Sequence, residues 1–286
     1  MAQTGDLTSA PRAAPLLSPV TVLRIAIIVA AVVLWETAAY VASILGWIDP
    51  SLASLGTIMS KVMPSLVVIG QALGQLLFHP DLKWGLGGSD FVTPAFYWHL
   101  YVTLAEVIIA LAIGGFAGLL AGLALGANPF LSGAFERYLY YLGPTPKIVF
   151  FPIMIMWFGV GPESKVAMGT ISAFFPIALS VAAGMRQIDR VLIRVGRSFR
   201  LNAWQMVTKI YLPAMREPII NGVRLGMGVA LIGVLLAETK LSNRGVGFMI
   251  IDAYNTFDMP RMYAVLAVLF VIAIGANALV SRVTRR

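Results

Sequence analysis

The sequence predicts an all-α, polytopic membrane protein with about six transmembrane helices. Three observations carry that reading. Of 286 residues, 59% are hydrophobic and only 12% charged, about half the charge of an ordinary soluble domain. Six apolar runs each reach the roughly 20 residues that a helix needs to cross the hydrocarbon core with its backbone groups satisfied internally. Lys and Arg also divide unevenly between the two sets of segments that join those runs. This excludes a cytosolic enzyme, a disordered regulator and a secreted disulfide scaffold. The chain has no cysteine, which removes thiol catalysis, Cys-bound zinc and iron–sulfur clusters. A net charge of +8 reads here as basic cytoplasmic loops, with no nucleic-acid partner.

In chain order the runs are 25–44, 100–122, 138–158, 166–185, 219–237 and 262–280. The first follows Arg12 and Arg24, but it is too long for a signal-peptide core and no small-residue cleavage site follows it. It reads as a retained anchor. Residues 62–78 are apolar but short, interrupted by Pro64, Gly70, Gln71, Gly74 and Gln75. An interfacial or re-entrant helix fits them better than a span. With both termini inside, segments 1–24, 126–137, 186–218 and 281–286 hold thirteen basic and four acidic residues; the outer segments hold six of each, Lys165 among the bases. That bias sets the predicted orientation.

Two joining segments are too long for turns. The outer one, 46–98, carries Gly85, Gly87 and Gly88, then Phe91, Phe96, Tyr97 and Trp98, either a membrane-interface belt or a binding surface. The inner one, 186–218, spaces Trp204, Met206, Val207, Ile210 and Leu212 as one apolar helical face among Arg and Lys. Such a face needs a partner, either another protein or anionic membrane lipid.

Within the spans, Gly114, Gly118, Gly122 and Gly126 recur every fourth residue after Ala110, and Gly222, Gly226 and Ala230 repeat the pattern. Both ladders predict close helix packing. The third span is different. Pro144, Pro146 and Pro152 each remove a backbone donor, next to Gly143, Phe150, Phe151, Trp157 and Phe158. Broken backbone at membrane depth either lines a cavity or is buried in protein. Glu36, Glu106, Lys147, Arg224 and Glu238 fall within spans or near their ends, where charge is paired or faces water. Lys147, midway along the broken span, either pairs with Glu106 or attracts an anionic solute.

No G-x-x-x-x-G-K-[ST] phosphate loop, nucleophile elbow or metalloprotease helix is present. The two histidines, His79 and His99, lie twenty residues apart and make a poor metal site. No catalytic residue, metal site or cofactor is expected in this chain.

The run Arg194-Val195-Gly196-Arg197-Ser198-Phe199-Arg200-Leu201-Asn202-Ala203-Trp204-Gln205, followed by Lys209-Ile210-Tyr211-Leu212-Pro213, resembles the EAA loop of ABC-importer permeases. Pro144-Thr145-Pro146, Pro152 and Trp157-Phe158-Gly159-Val160-Gly161 resemble the third-span signature of the nitrate/sulfonate/taurine subgroup. Phe175-Pro176, Gly222-Val223-Arg224, Ala237-Glu238 and Gly245-Val246-Gly247 extend the likeness. It covers about residues 99–280, and its ordered combination is far more specific than any single motif. There are departures. Arg194 stands at the family's Glu position, Val195 and Gly196 replace two Ala, and Arg200 replaces the Gly that eases the turn between two short helices. Lys147 stands where an uncharged residue is expected, and Glu106 where the family often has Arg.

The resemblance implies the membrane permease of a type I ABC importer. It implies a tail (1–24), a first span with its outer segment (25–98), a permease core (99–280) with a cytoplasmic coupling loop (186–218), and a C-terminal tail (281–286). Two permease copies would pair around a central path, two separate ATPases carrying ATP and Mg would grip the inner loops, and a periplasmic binding protein would deliver solute. Arg194, Arg197, Arg200, Asn202, Trp204, Leu212 and Pro213 would then meet the ATPase. Glu106, Pro144, Pro146, Lys147, Phe150, Phe151 and Glu238 would line the path. The implied solute is a small anion such as a sulfonate, nitrate or carboxylate, although thiamine-precursor importers look similar. The implied location is the bacterial inner membrane. A stand-alone secondary transporter or channel is the alternative, but it would show internal hydropathy repeats, which the sequence lacks. A lipid-facing scaffold without transport is a third possibility.

Overall fold

The computed structural model describes residues 19–48, 53–78 and 96–284. His79, Gly85, Gly87, Gly88, Phe91 and most of the N-terminal tail lie outside the described residues. Every regular element among the described residues is a helix. The chain divides into two compact units, Met1–Val68 and Ile69–Arg286.

In the first unit, α1 (Pro19–Ile48) is one 30-residue helix, about 45 Å long at 1.5 Å per residue and longer than the ~30 Å hydrocarbon core. Its apolar side chains turn outward, with Ile28 63% and Leu34 72% exposed, as a lipid-facing helix requires. α2 is Ala53–Val62. The Trp35 indole N–H donates to the Pro64 carbonyl at 3.0 Å. Glu36 accepts from the Leu66 N–H at 2.6 Å, where α3 (Leu66–Phe78) begins. A carboxylate at a helix N-terminus is favourably placed, so this charge of the first span is a cap. α3 has 13 residues and is about 20 Å long, too short to cross.

The second unit continues with α4 (Phe96–Ala127), α5 (Pro129–Leu142), a 3₁₀ turn (Lys147–Phe150), α6 (Phe151–Phe158) and α7 (Pro162–Arg186). Then come α8 (Arg190–Ser198), α9 (Ala203–Met206), a π turn (Val207–Tyr211) and α10 (Leu212–Ala214). α11 (Arg216–Leu241), α12 (Val246–Asn255) and α13 (Met259–Thr284) complete it. Among the described residues, five helices are long and apolar enough to cross a membrane, and α5 with α6 makes a sixth if the bent pair is one span.

α7 packs between α4 and α11, and the two glycine ladders are the reason. A Cβ on Gly118 would stand 2.8 Å from the Phe174 carbonyl, and one on Gly122 2.6 Å from the Val181 Cβ. From the other side, a Cβ on Gly226 would meet Ile177 at 2.7 Å. Ala173, Ile177 and Val181 fill the seam with almost no exposure. Between apolar helices in lipid, close backbone approach replaces the hydrophobic drive.

The third span, read from sequence as 138–158, is not one rod. The chain bends by 98° between Pro129–Leu142 and Lys147–Phe158. α5 starts on Asn128, whose side chain accepts from Phe130 and Leu131. Its ladder ends when the Gly143 N–H reaches Leu139. Pro144 and Pro146 have no N–H with which to continue it.

The segment 186–218 also departs from a single amphipathic helix. Asp189 caps α8 by accepting from the Val191 N–H at 2.7 Å. Residues 203–214 form short α9, the π turn and α10; at the π turn the Leu212 N–H reaches back to Val207, just before Pro213, which cannot donate. That widening breaks the 3.6-residue period. Met206 turns inward, where a Cβ on Gly196 would meet its sulfur at 2.5 Å, while Trp204 stays 74% exposed. Trp204 and Met206 are two positions apart on α9 and lie on opposite sides of it by ordinary helical spacing, so the five apolar residues 204–212 do not share one face.

Candidate functional site

The sequence's site residues fall into three places. The first is the broken span. Lys147 Nζ donates to the Thr145 carbonyl at 2.8 Å, to Leu142 at 3.3 Å and to Gly143. It also lies 5.1 Å from the centroid of the Phe175 ring on α7, within cation–π range. Its partners are carbonyls and a ring rather than Glu106, so of the two alternatives the sequence offered, the Lys147–Glu106 pair is not formed. Pro144 and Pro146 are exposed, and Phe150 is half-buried. Phe151 is buried against Met154, Met168 and Ala237.

The second place is a buried polar cluster where α4, α7 and α11 meet. Glu238 is 0% exposed. It accepts from the Thr103 hydroxyl at 2.7 Å and the Gly247 N–H at 2.7 Å. Thr103 in turn accepts from the Val246 N–H at 2.8 Å. His99 Nδ1 accepts from the Gly245 N–H at 3.0 Å, so that ring nitrogen carries no proton. Together these bonds tie the turn between α11 and α12 to α4. Gly245 has φ +96°, and a Cβ there would collide with the Glu238 carboxyl. Two reasons therefore require glycine at this position.

Glu106, also buried, neighbours Glu238 and lies 3.8 Å from Lys165 Nζ. Lys165 was counted among the outer loop charges; α7 begins at Pro162, so it falls in the first turn and is 5% exposed. A cation at a helix N-terminus is unfavourable, and Glu106 offsets it. The sequence set Glu106, Phe151 and Glu238 along the path. The structure buries all three beneath the chain's surface. Thr103, His99 and Lys165 carried no signal in the sequence beyond their polarity at span ends.

The third place is the loop 186–218, where Arg194, Arg197, Asn202 and Pro213 are exposed and Leu212 is half-buried. α8 ends with the Leu201 N–H bonded to Gly196 and the Arg200 N–H to Arg197, the paired bonds of a Schellman cap. Arg200 holds the left-handed position with φ +51°, which glycine usually fills. The helix closes in this left-handed cap although arginine stands where the resemblance leads one to expect glycine. Asn202 then opens α9 with a capping box, exchanging bonds of 2.8 and 3.0 Å with Gln205. Arg200→Gly is expected to stabilise the chain by about 1 kcal/mol, a few degrees in Tm, by removing a strained φ. Thermal unfolding in detergent reads this, and a lowered Tm would mean that the arginine side chain holds the loop.

Helices joined by glycine seams, a proline-broken span and a basic loop are the features of a multi-pass membrane protein. Residues 110–286 match the family described as binding-protein-dependent transport system inner membrane component, and the chain belongs to that family. The taurine transport system permease protein TauC of Escherichia coli is 30% identical over 202 residues, covering 69% of this chain and 74% of that protein. The putative aliphatic sulfonates transport permease protein SsuC of Bacillus subtilis is 26% identical, covering 82% and 80%. In solved structures, the inward-facing MetNI methionine ABC transporter matches with a TM-score of 0.59 at 20% identity, covering 65% of this chain and 92% of that one. That last likeness concerns the fold alone.

Proposed function

We propose that this chain is the permease subunit of an ATP-driven importer that moves a small anion of the sulfonate class. Two copies would form the path, a periplasmic binding protein would deliver solute, and two separate ATPases would bind and hydrolyse ATP with Mg. Both termini would be cytoplasmic in a bacterial inner membrane. The observation that carries the reading is the loop 186–218: Trp204, 74% exposed, on the same segment as exposed Arg194, Arg197 and Arg200. An aromatic anchor on a basic surface, within a chain that belongs to this family, fits a groove in a protein partner. The named substrates of the relatives, taurine and aliphatic sulfonates, support the solute class. Pro144, Pro146, Lys147 and Phe150 would form the lining, while Glu106, Phe151 and Glu238 hold the wall behind it.

Trp204→Ala tests the docking. Truncating a buried aromatic anchor commonly costs about 2 kcal/mol or more, roughly thirtyfold in affinity. The variant should lose the co-purifying ATPase, or hydrolyse ATP without transport. Full coupled transport by Trp204→Ala in reconstituted vesicles would remove the loop from that role. Leu212, Asn202 and Pro213 would shape the same surface. Arg194, Arg197 and Arg200 would add exposed ion pairs worth about 0–1 kcal/mol each.

A further inference from the structure

We infer that Lys147 is the positioning residue of the broken span, a built-in cation that pins the 98° bend. The inference rests on the proposed transport path and deepens it. Pro144 and Pro146 deprive the end of α5 of N–H donors. The carbonyls left there point their negative ends the same way, as they do at any helix C-terminus. The Lys147 side chain folds back over the break, and its ammonium donates to Leu142, Gly143 and Thr145. Three donors meet three acceptors. The same ammonium stands 5.1 Å from the Phe175 ring centroid, which fastens the bend to α7 one residue before Pro176. The bend is thus a locked corner rather than a free hinge. An uncharged side chain at 147 would leave those carbonyls without the cation. A lysine committed to anchoring solute would instead leave its ammonium open.

The chain has no cysteine, so a spin-label pair can be introduced without competing sites. Gly133 on α5 has nothing within 4 Å of a Cβ, and Met156 on α6 is 83% exposed. Gly133→Cys and Met156→Cys, labelled in the full chain in lipid nanodiscs and diluted with unlabelled chain, report the bend as a pulsed-EPR distance. One narrow distance is expected with Lys147 present. Lys147→Met should lose that single distance and spread it. Lys147→Arg, which keeps the cation, should restore most of it. Should Lys147→Met fail to fold, Phe175→Leu removes only the ring and should still broaden the distribution. An unchanged narrow distance in a folded Lys147→Met, or in Phe175→Leu where Lys147→Met does not fold, would overturn the pin. Equal broadening by Lys147→Arg and Lys147→Met would do the same. The measurement involves no transport, so its failure leaves the importer reading standing, and the failure of that reading in uptake assays leaves the bend measurement intact.

Discussion

Glu238→Ala is expected to destabilise the chain by about 3 kcal/mol or more, because it strands hydrogen-bond donors in a dry site. Glu238 is fully buried and joins α11 to Thr103 of α4 and to the Gly247 N–H of the following turn. Its loss removes one bond from α11 to α4 and one from α11 to the first turn of α12 at once. On a chain of this size the cost corresponds to a fall in Tm on the order of 10 °C. Glu238→Gln should lose less, since its amide oxygen still accepts one of the two bonds. Thermal unfolding of the purified variants checks the order. An unaltered Tm for Glu238→Ala would show that the turn is held by packing alone.

The second large effect is expected at Lys165. Lys165→Met keeps the length of the side chain and leaves the Glu106 carboxylate buried without its cation. Breaking one partner of a buried pair costs about 3–5 kcal/mol. The double variant Lys165→Met with Glu106→Leu should recover most of that stability, because replacing both members with apolar groups is often neutral. A double variant as unstable as Lys165→Met would show that Lys165 matters for packing and not for charge. The same pair of changes at Lys147 and Glu106 should show no such rescue, since Lys147 bonds to carbonyls.

Much of this architecture is legible in the sequence, for physical reasons. A span needs about 20 apolar residues whatever surrounds it, so five of the six runs reappear within single long helices and the third, 138–158, within a bent pair. Gly114, Gly118 and Gly122 sit on one helical face by spacing alone, and that face meets α7. The prolines at 144 and 146 announce a break but not its 98° angle, which depends on the Lys147 side chain folding back. Glu106 could be seen to need a partner, but choosing between Lys147 and Lys165 requires knowing how α7 is rotated against α4. The Thr103–Glu238 bond joins residues 135 positions apart, and no local pattern encodes it. In the inner loop, the apolar spacing from 204 to 212 suggested one face. Trp204 and Met206 are two positions apart on α9, about 200° around the helix, so Met206 turns inward while Trp204 stays exposed.

The most direct test is uptake of labelled taurine into proteoliposomes holding this chain, with its cognate ATPase inside and its binding protein outside. Uptake is expected only when the chain, the ATPase, the binding protein and enclosed ATP with Mg are all present. It should vanish with Trp204→Ala while the permease remains folded. Taurine accumulation without the ATPase, driven by an ion gradient or by no energy source, would contradict the reading and make the chain a transporter in its own right.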